Sequence, residues 1–220
     1  MKYFLLLIHF LLLVSLVEAK NRKVKIVTTK GIIVVLLSDK TPKHRDNFIK
    51  LVKQGFYDSI LFHRVIKEFM IQAGDPDTKQ SEPQKRYGGG GLDYKIPSEF
   101  DASLFHKKGM LAAARTNNPE KASSSCQFYI VQGKVFTDSS LNEVQLQRME
   151  GRIIPAYQRE VYKTLGGAPH LDQNYTVFGE LIKGMQVVDA IASVERDQFD
   201  RPKEDIRILK MKLIKKFLFF

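Results

Sequence analysis

The sequence contains a single cysteine and no cluster of metal-binding side chains. Cys126 has no second cysteine to pair with, which excludes a disulfide within the chain and any zinc site built from several cysteines. It lies in an apolar stretch typical of a strand, where a buried, unreactive thiol is expected. The five histidines are dispersed along the chain. We therefore expect no metal, no cofactor and no nucleophile–base pair of the hydrolase kind.

Acidic residues are scarce compared with basic ones. Lysine and arginine outnumber aspartate and glutamate by 35 − 24 = 11. Such an excess can serve an acidic partner such as nucleic acid or an anionic membrane. The basic residues are scattered, however, and no nucleic-acid-binding motif accompanies them. The charge therefore indicates a solvated basic surface, and we expect no nucleic acid as a partner.

Only one long apolar run is present, and it stands at the N-terminus. Lys2 precedes the run over residues 3–17, and a small residue, Ala19, follows it. This order resembles a secretory signal peptide over residues 1–19, with export to a periplasm, a secretory lumen or the extracellular space. Lys20 and Arg22 follow at once, and charge on that side opposes translocation. An uncleaved anchor is therefore the alternative, and only then would the protein contact a membrane.

The remaining residues, 20–220, have the composition of one soluble domain, with neither an internal repeat nor a linker. Residues 24–37 alternate as a β-hairpin. Thr41 and Pro42 begin a helix, a second helix follows Gly184, and a helical stretch over residues 141–165 should break at Pro155. Many short strands with two packing helices predict a closed antiparallel sheet.

The glycine run at residues 88–91 looks like a phosphate-binding loop but lacks its context. No strand–GxxxxGK[ST]–helix frame surrounds these glycines. We therefore expect a tight backbone turn at this position.

Residues 62–75 carry the most informative pattern. Arg64 stands among large apolar residues and a glutamine, Gln72, in the alternation of two short strands. An arginine does not titrate at ordinary pH, so it acts as a fixed hydrogen-bond donor. An apolar pocket with one such donor suits a neutral, partly apolar substrate. The alternative is a buried strand pair with one arginine reaching to solvent.

Four motifs in a fixed order complete the pattern. They are Phe62-His63-Arg64, Phe69-Met70-Ile71-Gln72-Ala73-Gly74, Cys126-Gln127-Phe128-Tyr129-Ile130, and Leu171-Asp172 followed by Val177-Phe178-Gly179-Glu180. Over residues 24–213 the chain resembles the cyclophilin-type peptidyl-prolyl cis–trans isomerases, in particular bacterial exported members with an extended insert. The resemblance implies a closed eight-stranded antiparallel barrel, capped by two helices, with a groove on its outer face. A helical insert would occupy residues 137–167.

The resemblance also implies the roles of individual residues. Arg64 would be catalytic, and Gln72 would position Arg64 and the substrate backbone. Phe69, Met70, Phe128 and Leu171 would form the pocket for the proline ring. The other substrate-binding residues would be His63, Ala114, Arg115, His170 and Tyr175, with Arg115 acting mainly through its main chain.

Two positions depart from the best-known family members. His170 stands where those members have tryptophan, which predicts weak binding of cyclosporin-like ligands. Tyr175 stands where many have histidine, and we expect activity to persist at a reduced rate because tyrosine can still stack and donate a hydrogen bond.

The predicted function is isomerisation of X–Pro bonds in unfolded or nascent polypeptides, performed by a monomer during the folding of exported proteins. The alternative is a proline-peptide binding or chaperone module with incidental catalysis.

Overall fold

The computed structural model describes residues 23–214. The predicted signal segment over residues 1–19 lies outside these residues. Within them the strands are β1 Lys23–Thr28, β2 Gly31–Leu37, β3 Phe62–Ile66, β4 Met70–Ala73, β5 Lys95–Ile96, β6 Met110–Ala113, β7 Ser123–Ser124, β8 Phe128–Val131, β9 Val177–Lys183 and β10 Ile208–Leu213. The α-helices are α1 Pro42–Lys53, α2 Asp138–Arg148, α3 Ala156–Thr164 and α4 Met185–Ala192. None of these helices is long and apolar enough to cross a membrane.

Eight strands form one antiparallel sheet in the order β10-β1-β2-β9-β6-β8-β4-β3, and β5 pairs with β7 separately. The predicted hairpin is confirmed as β1 and β2. At its turn the Thr28 hydroxyl donates to the Gly31 carbonyl at 2.8 Å and accepts from the Lys30 amide at 3.1 Å. Gly31 has φ +134°, a conformation that side chains disfavour. Local turn chemistry therefore sets the register of the first two strands.

The prediction of a closed barrel is wrong, because the sheet is an open half-barrel that curves through 243°. Its end strands, β3 and β10, meet only through a bridge between Leu61 and Arg207 and a few neighbouring bonds. Further along β3, the Val65 amide donates to the carbonyl of Asp200 at 2.8 Å. A loop therefore covers this edge of β3, where closure would require a strand.

The two predicted packing helices cover the interior of the half-barrel. Helix α1 contacts β9 and β10, and α4 contacts β2, β3 and β4. Thr41 stands at the start of α1, as predicted, but its hydroxyl makes no capping bond. The Glu99 carboxylate, from a distant loop, accepts the amides of Lys43 and His44 at 3.0 Å each and supplies the cap.

Each face of the sheet carries its own apolar cluster. The interior cluster includes Ile26, Val35, Phe48, Tyr57, Ile71, Phe128 and Ile130. The outer-face cluster is smaller and consists of Met70, Met110, Ala112, Ala114, Tyr129, Val131, Ala168, Leu171 and Val177. Several central strands are therefore buried on both faces, which explains their nearly continuous apolar sequences.

The insert predicted over residues 137–167 folds as the helix pair α2 and α3; Pro155 directly precedes α3, but α2 already ends at Arg148. It has a small apolar core of its own, composed of Phe105, Phe136, Leu141, Met149, Ile154 and Tyr162. At the return to the sheet, Gly167 runs against Gly133 so closely that a Cβ on Gly133 would clash with the Gly167 backbone. Two glycines thus allow the insert to dock directly on the sheet.

Candidate active site

A groove of about 800 Å³ lies on the outer face of the sheet. Nine of the eleven predicted site residues line it: His63, Arg64, Phe69, Met70, Gln72, Ala114, Arg115, Leu171 and Tyr175. The two others, Phe128 and His170, do not line it and are treated below.

Arg64 and Gln72 are cross-strand partners in the antiparallel pairing of β3 with β4. Directly paired residues point to the same side of a sheet, so both side chains face the groove. The Gln72 side-chain amide donates to Oε1 of Gln127 at 3.0 Å. The Arg64 side chain is 42% exposed, and its Nε lies 3.5 Å from Oδ2 of Asp200. The structure therefore brings the predicted catalytic pair together and gives Arg64 a carboxylate neighbour.

Asp200 is a site residue that the sequence analysis missed. It stands in the loop after α4 with φ +63°, and its second carboxylate oxygen lies 3.4 Å from Arg196. Arg196 in turn donates to the carbonyl of Val65 at 3.1 Å. The polar sequence around residue 200 predicts a turn. Nothing in it indicates contact with β3, because a loop 136 residues away along the chain (200 − 64) makes that contact.

The floor of the groove is apolar and almost completely buried. Met70, Leu171 and Ala114 form it together with Tyr129, and none of the four is more than 9% exposed. At the rim, the ring of Phe69 stacks on His170 at 5.5 Å between centroids. His170 therefore supports the rim from behind Phe69. A small apolar floor of this kind can hold a prolyl ring.

Phe128 does not contribute to this floor. Its side chain is 1% exposed and packs in the interior, edge-on to Phe48 at 5.4 Å and to Tyr57 at 5.5 Å. Its neighbour Tyr129 lines the groove. Successive residues of a strand point to opposite faces. The sequence Phe128–Val131 is apolar throughout, so its pattern did not show which aromatic residue faces the groove.

Tyr175 and Arg115 form the far side of the groove. The Arg115 guanidinium lies 4.7 Å above the Tyr175 ring, and its Nε donates to the carbonyl of Asn174 at 2.8 Å. The Tyr175 ring meets Tyr129 edge to face at 6.0 Å. The resemblance implied a main-chain role for Arg115. The structure shows in addition that its side chain fixes the tyrosine at the position where many family members have histidine.

His63 lies in the wall beside Arg64 and is 3% exposed. Neither ring nitrogen has a hydrogen-bond partner. Burial lowers the pKa of His63 to about 4, although the neighbouring Asp75 carboxylate acts in the opposite direction. Burial also lowers the pKa of His170 to about 4. Both imidazoles are therefore neutral at pH 7 and add no charge beside the guanidinium of Arg64.

The glycine run lines the groove with Gly88 and Gly89, and it forms an open loop with a bend at Gly88 where a tight turn was predicted. Oδ2 of Asp75 accepts the amides of Gly88 at 2.6 Å and Gly90 at 3.1 Å. The Gln127 side-chain amide donates to the carbonyls of the same two glycines. A Cβ on Gly90 would clash with the Asp75 carboxylate. Buried polar side chains thus fix a loop that has no side chains of its own to pack.

The chemistry that this groove offers is hydrogen bonding and shape. Among residues 23–214 there is no group of three or more His, Cys, Asp or Glu side chains placed to hold a metal ion. Cys126 is buried, and burial raises its pKa, so the thiol is not poised as a nucleophile. The groove therefore offers a cationic hydrogen-bond donor beside an apolar floor.

Comparisons with known proteins identify the family of this chain. The family model for cyclophilin type peptidyl-prolyl cis-trans isomerase matches residues 23–213. A provisionally named peptidyl-prolyl cis-trans isomerase of Staphylococcus haemolyticus is 36% identical over 87% of this chain and 91% of its own length. A bifunctional phosphatase/peptidyl-prolyl cis-trans isomerase of Streptococcus pyogenes, also provisionally named, is 39% identical over 84% of this chain. The matched region is 37% of the length of that protein.

The fold has a solved counterpart. A cyclophilin type isomerase of Cryptosporidium parvum, crystallised in the presence of the dipeptide Ala-Pro, superimposes with a TM-score of 0.64. That comparison covers 88% of this chain and 99% of the other, at 24% identity, and supports the half-barrel architecture. With the family model matching nearly all of the described residues, the chain belongs to the cyclophilin-type peptidyl-prolyl cis–trans isomerases.

Proposed function

We propose that this isomerase speeds X–Pro bond rotation in unfolded or nascent polypeptides, using Arg64 as its catalytic donor. One observation carries this assignment. Arg64 and Gln72 are paired across β3 and β4 on the face where Met70, Leu171 and Tyr129 form an apolar floor. A cationic hydrogen-bond donor stands beside a surface that can hold a prolyl ring.

The chemistry of the reaction fits these residue types. Rotation about an X–Pro bond has a barrier of about 18–20 kcal/mol because the amide has partial double-bond character. A donor directed at the prolyl nitrogen stabilises the lone pair on that atom, which weakens the amide resonance and lowers the barrier. The floor holds the ring while the preceding carbonyl turns. The role of Gln72 is to order the substrate backbone beside the glycine loop, to which it is linked through Gln127.

The size of the groove supports a short proline-containing segment as the ligand. A volume of about 800 Å³ exceeds what a single prolyl ring fills and leaves room for neighbouring residues. The Cryptosporidium parvum relative was crystallised in the presence of Ala-Pro. We extend this ligand class to the present chain and expect it to act as a monomer.

Protease-coupled isomerisation of an Ala-Pro tetrapeptide tests the assignment of Arg64. We expect the purified protein to accelerate the reaction and Arg64→Ala to lose at least about a hundredfold in kcat/KM. Arg86→Ala is the matched control, because Arg86 lines the same groove and its guanidinium stacks on Phe199. Full activity in Arg64→Ala would refute the catalytic role. Binding of the peptide without turnover in the unmodified protein would favour the binding or chaperone module.

We further propose that the clients are exported proteins. The support is the apolar run over residues 3–17, which precedes the isomerase domain directly. N-terminal sequencing of the protein from its native host tests this proposal. Residue 20 as the first residue would establish cleavage of a signal peptide, whereas an intact N-terminus in the membrane fraction would establish the anchor.

A further inference from the structure

Four buried side chains form a continuous chain of hydrogen bonds between the insert and the groove, which we call the relay. The Tyr162 hydroxyl donates to Oδ2 of Asp172 at 2.6 Å. The other oxygen, Oδ1, accepts from Nδ1 of His106 at 2.8 Å. Nε2 of His106 lies 3.0 Å from the hydroxyl of Tyr129. The four residues are between 0% and 5% exposed.

The carboxylate of Asp172 is the acceptor at the centre of the relay. It also accepts the backbone amide of His106 at 2.7 Å, so it serves three donors. Nδ1 of His106 donates to this carboxylate, which leaves Nε2 to bond the Tyr129 hydroxyl. That hydroxyl is therefore directed at His106. Every polar atom of the relay is satisfied, which is the condition for a buried network to hold one geometry.

The two ends of the relay belong to different parts of the molecule. Tyr162 lies on α3 of the insert, where its ring packs against Phe105 and Phe136 at 5.5 Å and 6.3 Å. At the other end, the ring of Tyr129 lines the groove. Asp172, in the middle, directly follows Leu171, a second floor residue. The insert thus reaches two floor residues, one through His106 and one through the chain itself.

We infer that Tyr162 is a positioning residue for the proline pocket and that the insert serves substrate binding through it. The hydroxyl bond holds the Tyr129 ring at one tilt, and the anchored Asp172 holds Leu171 in place. Both sides of the apolar floor then keep the shape that a prolyl ring requires. The inference rests on the proposed isomerase function, because it assigns the floor to the substrate's proline.

Removing single hydroxyls tests the relay. In Tyr162→Phe and Tyr129→Phe, we expect KM for the Ala-Pro tetrapeptide to rise about threefold with kcat nearly unchanged, the size expected for one lost hydrogen bond. In the double variant we expect no further rise, because either change alone interrupts the relay. Tyr157→Phe is the matched control: this exposed residue lies on the same helix, and its hydroxyl donates to the carbonyl of Ala102 at 3.2 Å.

Each outcome decides between positioning and a merely structural role. A Tyr162→Phe variant with a lower melting temperature but unchanged KM, assayed well below that temperature, would overturn the inference. Independent, multiplying effects of the two changes would overturn it as well. If Tyr162→Phe does not fold, Tyr129→Phe alone decides, and an unchanged KM in that variant would overturn the inference. Absence of turnover in the unmodified protein would instead refute the proposed function, so the two failures are distinguishable.

Discussion

The two sides of the groove are held in different ways. On the catalytic side, Arg64 and Asp200 are 42% and 31% exposed and lie 3.5 Å apart. On the floor side, His106 is fully buried and both of its ring nitrogens are engaged. An exposed ion pair contributes about 0–1 kcal/mol and is screened by salt. A satisfied buried network resists distortion, since each of its groups would be costly to leave unpaired.

This difference matches the tasks of the two sides. In the mechanism proposed above, the prolyl ring stays in place while the amide turns, so its pocket benefits from rigidity. The donor in that mechanism follows the nitrogen as the atom changes geometry, and a weakly held guanidinium is suited to this. The comparison predicts that changes to the floor alter stability and binding, whereas changes around Arg64 alter turnover.

The largest expected effect concerns His63, the unpartnered histidine behind the catalytic side. Burial lowers its pKa from 6.5 to about 4 in the folded protein. Folding therefore favours the neutral form of His63, and stability does not depend on this residue's protonation above pH 6.5. As the pH falls from 6.5 to 4, His63 binds a proton in the unfolded chain but remains neutral in the folded protein, so the unfolded state is stabilised. About 3 kcal/mol of the free energy of unfolding should be lost in this window.

Urea unfolding at pH 7 and at pH 4 checks this expectation. His63→Phe, which fills a similar volume without a titrating group, should flatten the pH dependence by about 3 kcal/mol. An equally steep profile in the variant would show that His63 is protonated in the folded protein. The loss would then originate elsewhere.

Asp172→Asn tests the floor side by removing the acceptor of three hydrogen bonds. An amide offers one oxygen and a donating NH₂ group, so at least one of the three donors loses its partner. We expect about 2 kcal/mol of destabilisation in urea unfolding, the magnitude typical of bonds to a charged group. Asp101→Asn is the control, because Asp101 accepts from Ser103 in an exposed loop. Equal stability of the two variants would show that the network contributes little to the fold.

Arg64→Lys sharpens the comparison on the catalytic side, because it keeps the positive charge and removes the planar fork. An ammonium is a compact, strongly hydrated point charge and cannot present the same donor direction. We expect kcat/KM to fall about tenfold with the melting temperature unchanged, since the side chain is 42% exposed. A variant as active as the unmodified protein would mean that charge alone, without directed donation, suffices.

The sequence predicted those features that depend on neighbouring residues or on a recognisable motif. The hairpin β1–β2, the helix boundary at Pro155 and nine groove residues follow from turn residues, proline geometry and motif resemblance. Prediction failed where the deciding contact is distant or the pattern is uniform. The resemblance implied that Phe128 lines the groove, and β8, which is apolar on both faces, has no alternation that would indicate Tyr129 in its place.

The wrong prediction of a closed barrel and the failure to predict Asp200 as a site residue have one cause. Asp200 contacts β3 through a backbone hydrogen bond to Val65 and an ion pair to Arg64. The same loop that occupies the edge of the sheet therefore supplies the carboxylate beside Arg64. The sequence near residues 62–66 contains no information about this loop. Local patterns therefore predict neither the open edge of the sheet nor the carboxylate beside Arg64.

Asp200→Asn is expected to have the smallest effect, and its dependence on salt is the informative result. The substitution removes the charge beside Arg64 and leaves the backbone bond from the Val65 amide to the Asp200 carbonyl available. Because the pair is exposed, we expect a change of about twofold in kcat/KM, largest at low salt and vanishing near 1 M salt. Glu195→Gln is the matched control, because Glu195 pairs with Lys203 on the surface. A large loss that persists at high salt would show that Asp200 fixes the guanidinium rigidly. The Arg64 side of the groove would then be held as rigidly as the floor, and the proposed difference between a weakly held donor and a rigid pocket would be wrong.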